Sequence, residues 1–225
     1  MTRRPRFTSG NAPTILSSMK HGQGVLTIVI LCASSATGAA PPAAAPPPAA
    51  YSADLADGLS QKLDALLRRS QLKKPPREKT VTVSEPELNS YLNLTLGPKM
   101  PKGVTDVVVR FERDRLVARA LVDLAEVQGK IPSGSLGGLL SFLSGKVPLE
   151  ARGRLDAAED GFGAFAIEEV NISTVPVPVT VVEQLVTSAT KTAETPHGFD
   201  VHSPFRLPYD LKRVRIQPGQ ALLEY

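Results

Sequence analysis

The sequence predicts an α+β domain built on a long antiparallel sheet, with limited helical material. Two observations carry that expectation. Apolar and polar residues alternate with period two over several long segments, as they do where one face of a sheet is covered and the other is wet. Helical periodicity is confined to short stretches: residues 52–71, 84–94, part of 135–144, and 178–192.

The 225-residue chain opens on a leader rather than on this domain. Arg3, Arg4, Arg6 and Lys20 form a basic front, and no Asp or Glu occurs before Asp54. An uncharged apolar run, Val25 to Ala33, follows. It is shorter than the roughly 20 residues a bilayer-spanning helix needs, and it leads into Ser34-Ser35-Ala36-Thr37-Gly38-Ala39, the small residues that a signal peptidase reads. Residues 1–38 are therefore expected to be a cleaved signal peptide, which places the mature protein in the periplasm or another extracytoplasmic space. Met19-Lys20-His21 directly precedes the run, so a start at Met19 would give a compact leader. A retained N-terminal helix is one alternative. Lipid modification at Cys32 is another, although Leu31 stands where a lipoprotein signal takes a small residue.

Removing the leader changes the charge balance. Four of the 26 basic residues lie in it, which leaves 22 basic against 22 acidic residues. A neutral mature chain gives no basic footprint for nucleic acid. The leader also holds the only cysteine, so disulfide and thiol chemistry are excluded from the domain.

The elements follow in order. Residues 39–50 contain only Ala and Pro and read as an extended spacer. Residues 51–225 form the single domain. Its first element, 52–71, is an amphipathic helix with Ser52 as cap and Leu55, Leu59, Leu63, Leu66 and Leu67 on one stripe. The body at 80–225 starts with a brief strand at Val81-Thr82-Val83. Ser84-Glu85-Pro86-Glu87 then reads as a capping box, opening a helix with Leu88, Tyr91 and Leu92 on one side. Residues 104–127 predict a hairpin, with Val107, Val109 and Phe111 alternating, a turn at Glu112 to Arg115, and Leu116, Ala118, Ala120, Val122 and Leu124 alternating back. In 147–155, Val147, Leu149, Ala151, Gly153 and Leu155 share a face opposite Glu150, Arg152 and Arg154. After a turn at Asp160-Gly161, the apolar parity of Phe165 and Ile167 flips to that of Val170 and Ile172, which predicts a bulge at Glu168-Glu169. The last hairpin has Val214 and Ile216, a type II turn at Pro218-Gly219, then Ala221, Leu223 and Tyr225.

No catalytic set emerges. His197 and His202 are five residues apart in a loop with Asp200 between them, a poor metal site. Ser135 is not centred in a nucleophile elbow. Adjacent Glu168 and Glu169 would point to opposite faces of a regular strand. No phosphate loop or dinucleotide fingerprint occurs. The expectation is a non-enzymatic protein without cofactor or metal. The apolar inventory says more: residues 135–145 are Leu-rich, uncharged and interrupted by Gly, and read either as a short buried helix or as an apolar lip that touches lipid. The helix at 178–192 is rich in Val and suits either core or ligand lining.

Several of these motifs resemble a family. Thr82-Val83-Ser84-Glu85-Pro86-Glu87-Leu88-Asn89-Ser90-Tyr91-Leu92 is similar to the strand–helix opening of bacterial tubular lipid-binding (TULIP-like) envelope proteins of the LmeA and YpmS types. The hairpin at 104–127, the strand at 147–156, Val175-Pro176-Val177-Pro178 before a helix, and Pro204-Phe205-Arg206-Leu207-Pro208 before the last hairpin follow the same order over residues 80–225. The resemblance implies a long, strongly twisted antiparallel sheet wrapped around or covered by two to four helices, an apolar groove for acyl chains, and no catalytic residues. The expected groove walls are Val109, Phe111, Leu149, Leu155, Phe165 and Ile167. Leu139, Leu140, Phe142 and Leu143 would lie near its mouth, and Val182, Leu185 and Val186 on a covering helix. The expected partner is a lipid or other long apolar ligand, with peripheral membrane contact. The competing expectation is an envelope interaction module with a filled core, holding a protein partner through helix 52–71.

Overall fold

The computed structural model of the chain describes residues 51–72, 79–127, 144–157, 161–189, 197–198, 200 and 203–225. The expected signal peptide, the spacer and residues 135–143 lie outside them. In chain order the elements are α1 (Ala53–Ser70), β1 (Thr80–Ser84), α2 (Glu85–Ser90), β2 (Val104–Glu112), β3 (Arg115–Asp123) and α3 (Leu124–Val127). Then come β4 (Lys146–Ala157), β5 (Phe162–Ile172), β6 (Val175–Pro176), α4 (Val179–Ala189), β7 (Phe205–Arg206), β8 (Arg213–Gln217) and β9 (Gln220–Glu224). The chain is thus α+β, and every strand pairing is antiparallel.

The strands form two sheets where the sequence suggested one. A six-stranded sheet runs β2-β3-β4-β5-β6, with β7 also on β5, and a three-stranded sheet runs β1-β9-β8. The terminal hairpin joins β1 because Lys79 and Tyr225 exchange both backbone bonds and the ladder continues from Thr80↔Glu224 to Ser84↔Gln220. In the large sheet the rows Val109–Ala118–Ala151–Val170 and Phe111–Leu116–Gly153–Ile167 cross β2 to β5 on one face. The alternation along β4 therefore has the predicted parity. Arg152 pairs with Glu169 while Gly153 pairs with Ile167, so Glu168 is the extra residue of the predicted bulge. On the other face, Glu150 bonds Arg119 at 2.6 Å and Arg152 at 2.9 Å, and Arg115 takes Glu168 at 2.9 Å. Glu168 and Glu169 are thus members of a surface ion ladder. Gly219 has φ +80°, the left-handed value a type II turn requires at that position.

The first helix differs in detail from its expectation. Ser52 holds the N-cap position, yet its side chain makes no capping bond; its N–H donates to Ser90 Oγ at 3.1 Å. Leu55 is 37 % exposed, and the buried stripe is Ala56, Leu59 and Leu66 with Leu63 partly buried. The small Ala56 takes the inward position beside Leu88, Tyr91 and Leu92.

The capping box at Ser84 is present. Ser84 Oγ accepts the Glu87 N–H, and Glu87 Oε2 accepts the Ser84 N–H at 2.9 Å. Lys62 Nζ ties α1 to the same place, donating to Glu87 Oε1 at 2.6 Å and to Thr82 O at 2.7 Å. Burial pushes the Glu87 carboxyl up, but the bonds from Lys62 and Ser84 and the Lys62 charge outweigh it and hold the carboxyl below the usual glutamate range. Stability from this group is therefore present above the unfolded glutamate pKa and lost as pH falls through the depressed folded value. Ser84→Ala should cost about 1 kcal/mol in a urea melt at neutral pH, and Glu87→Gln should remove part of the acid-side fall in stability. A Glu87→Gln protein with the wild-type acid profile would contradict this linkage.

Candidate apolar binding site

The predicted helix at 84–94 forms, but only Glu85–Ser90 is α; Tyr91–Thr95 widens to a π-helix. Its role emerges at the edge of the large sheet. β2 is an edge strand, and an uncovered edge leaves N–H and C=O groups without partners. Asn89 closes a two-bond bridge to one residue: its Nδ2 donates to Val109 O at 3.0 Å and its Oδ1 accepts Val109 N–H at 2.7 Å. Asn93 does the same at Val107, at 2.6 and 3.1 Å. Glu85 Oε1 accepts the Phe111 N–H, and the Gly219 N–H donates to Phe111 O at 3.0 Å. Four helical residues rise about 6 Å and two strand residues about 6.7 Å, so an i, i+4, i+8 row can track alternate strand residues. Each four-residue step overshoots a full turn by about 40°. The wider π turn offsets that drift and keeps Asn93 in line. Sequence reading missed this row, because it followed only the apolar side of the helix; Glu85, Asn89 and Asn93 at four-residue spacing were the available signal.

With that edge fixed, α1 and α2 stand over the inner face of the large sheet, and the small sheet lies across it. Between them is a cavity of about 150 Å³. The large sheet contributes Val109, Phe111, Leu116, Ala118 and Leu155, and the small sheet Val83, Val214, Ile216, Ala221 and Leu223. Leu59 and Leu63 come from α1 and Leu88 from α2. The remaining side is a strap that begins with β7, residues 205–211, including Phe205, Leu207, Tyr209 and Leu211. The wall presents almost no polar surface. Leu63, Ala118, Leu155, Phe205, Tyr209, Val214 and Leu223 are only half-buried, so apolar surface remains within reach of solvent.

Of the residues expected to line a groove, Val109, Phe111 and Leu155 are on this wall. Phe165 and Ile167 pack in the same core without lining the cavity. Leu149, Val182 and Val186 belong to a second cluster with Ala151, Val170 and Val177 under α4. Ala118 touches both clusters. Leu139, Leu140, Phe142 and Leu143 lie outside the described residues, as does the side chain of Leu185. The contributions of α1, β8, β9 and the strap were not foreseen. Their alternating apolar residues were visible, but only the three-dimensional placement of β1 beside β9 brings them to the large sheet.

Titratable chemistry near the cavity is sparse. Burial raises the Tyr209 hydroxyl above the ordinary phenol value, with Tyr91 and the Asp64 charge adding to it. Burial and Asp64 likewise raise Tyr91. Both rings are neutral at physiological pH, and Tyr209 offers the cavity its ring. Among the described residues no three His, Cys, Asp or Glu side chains group as a metal site, and no helix is long and apolar enough to cross a membrane. His197 is exposed and His202 lies outside the described residues. Comparison of the chain with protein-family models, with curated proteins and with solved structures finds no match.

Proposed function

We propose that the mature chain is an exported, non-enzymatic protein of the bacterial envelope that holds the hydrocarbon part of a lipid or other long apolar molecule between its two sheets. The observation that carries this reading is the cavity itself: its wall is apolar throughout and drawn from two sheets, two helices and a strap. An apolar wall rejects a polar group that would lose its hydrogen bonds there, at about 1–3 kcal/mol each. It accepts hydrocarbon.

The volume limits the occupant. A dry cavity of about 150 Å³ holds one aromatic ring, whereas pockets for whole drug-sized ligands run to roughly 300–1,000 Å³. A longer chain would extend past the half-buried rim toward solvent, because Val170 and Val182 beyond Ala118 are already packed under α4. The same modest volume favours a second reading, an envelope interaction module whose core is nearly full. Uptake of a fluorescent fatty acid separates the two. The wild-type chain should enhance its emission saturably, and Ala118→Leu, which narrows the cavity, should weaken binding at least ten-fold while leaving the fold intact. Equal binding by both proteins, or none by either, would refute the cavity as the site.

A further inference from the structure

The walls of the cavity are unequally held. The sheet walls are long ladders, interrupted at the Glu168 bulge and between Thr105 and Val108, and α1 is an 18-residue helix. The strap, residues 205–211, is different. β7 pairs with β5 over two residues, Phe162↔Arg206 and Gly163↔Phe205. Leu207 N–H then donates to Gly161 O at 2.8 Å, and Lys212 N–H donates to Glu224 O at 2.8 Å. Between those points the only backbone bond among the described residues is internal, Leu211 N–H to Pro208 O at 3.2 Å. Leu207 and Leu211 are buried in a small cluster with Leu66. Between them, Tyr209 and Asp210 are consecutive left-handed residues, at φ +59° and +53°.

That conformation is costly for residues other than glycine, and two in succession persist only where their surroundings impose it. Asp tolerates it better than most residues, whereas a ring-bearing Tyr does not. A segment fixed at both ends, bonded weakly between them and strained at its crest opens at a lower cost than the ladders around it. The strap also forms one whole side of the cavity. We propose that the Phe205–Leu211 strap is the door of the cavity, and that the left-handed Tyr209–Asp210 pair sets how readily it opens. The inference rests on the ligand reading of the same cavity.

Asp210 tests it, because its exposed carboxylate is outside the cavity wall and only pairs with the exposed Arg206 at 2.8 Å. Asp210→Val puts a β-branched residue at φ > 0 and should open the strap about ten-fold more often, by the usual cost of a left-handed L-residue. Asp210→Gly, which accepts that φ, should open it no more often than wild type. Asp210→Asn controls for the lost ion pair and should behave as wild type. Amide hydrogen exchange at Leu207 and Leu211 reads opening without any ligand, with amides of the central strand β4, such as Glu150 opposite Asn171, as ladder references. The expected result is faster exchange at the strap alone in Asp210→Val, not in the central strand β4, with a matching rise in the stopped-flow uptake rate of the fluorescent fatty acid. Strap amides that exchange only with the ladder amides overturn the proposal, as does an uptake rate that Asp210→Val leaves within two-fold of wild type. If the strap responds but no probe enters, the ligand reading falls, and the door with it. If the probe enters but the strap does not respond, the door alone falls.

Discussion

Asn89→Leu should destabilise the protein by about 2–6 kcal/mol, because it strips partners from a buried N–H and a buried C=O at once, each worth about 1–3 kcal/mol when left unsatisfied. Asn89 is only 7 % exposed, and no water can replace its amide readily. Leucine keeps the branched shape, but its methyls need about 3.5 Å or more from backbone atoms that the amide meets at 2.7 and 3.0 Å, so some overpacking adds to the lost bonds. Asn89→Asp discriminates further. It keeps an acceptor for Val109 N–H but sets a buried carboxylate against Val109 O, and should cost at least as much as the leucine variant. Asn93→Ala should cost less, since Asn93 is half-buried and solvent can partly replace it. Urea melts followed by circular dichroism would measure the series. An Asn89→Leu protein within about 0.5 kcal/mol of wild type would show that the edge of β2 is held by something other than this side-chain row.

Gly153→Ala carries the second large effect. A Cβ there would run into the ring of Phe165, and would lie 3.1 Å from Ala166 O. The ring occupies the space of the missing side chain, beside the bulge at Glu168 where β5 shifts register. Phe165 is buried and part of the main core, so its ring cannot swing out to solvent. Overpacking of this kind costs about 1–3 kcal/mol. Phe165→Leu should recover part of that cost in the Gly153→Ala background although it destabilises the wild type, a positive coupling in a double-mutant cycle. Additive effects would mean that the ring and the glycine are not in contact.

Much of the local structure was legible because its causes are local. The capping box needs only Ser84 and Glu87 three residues apart. The parity of β4 and the bulge at Glu168 follow from where apolar residues stop alternating. What the sequence did not disclose depends on distant segments. Nothing near Gln220 or Ser84 says that they pair at one end of a separate sheet, yet that sheet supplies Val83, Val214, Ile216, Ala221 and Leu223 to the cavity wall. The Asn row was hidden for another reason: a polar residue on a helix reads as solvent-facing until a strand edge is known to lie against it. Leu149, Val182 and Val186 share the expected apolar character but gather in a second cluster, because β4 is long enough to serve both.

The proposed function requires that the space between the sheets hold hydrocarbon. Native mass spectrometry of the full chain, purified gently from the cells that produce it, asks this directly. The wild-type protein should carry a lipid-sized added mass in a one-to-one ratio, and Ala118→Leu should lose it with no change in circular dichroism. Wild-type protein that shows only its bare mass, and stays bare after incubation with the extracted envelope lipids of the same cells, would contradict the central claim.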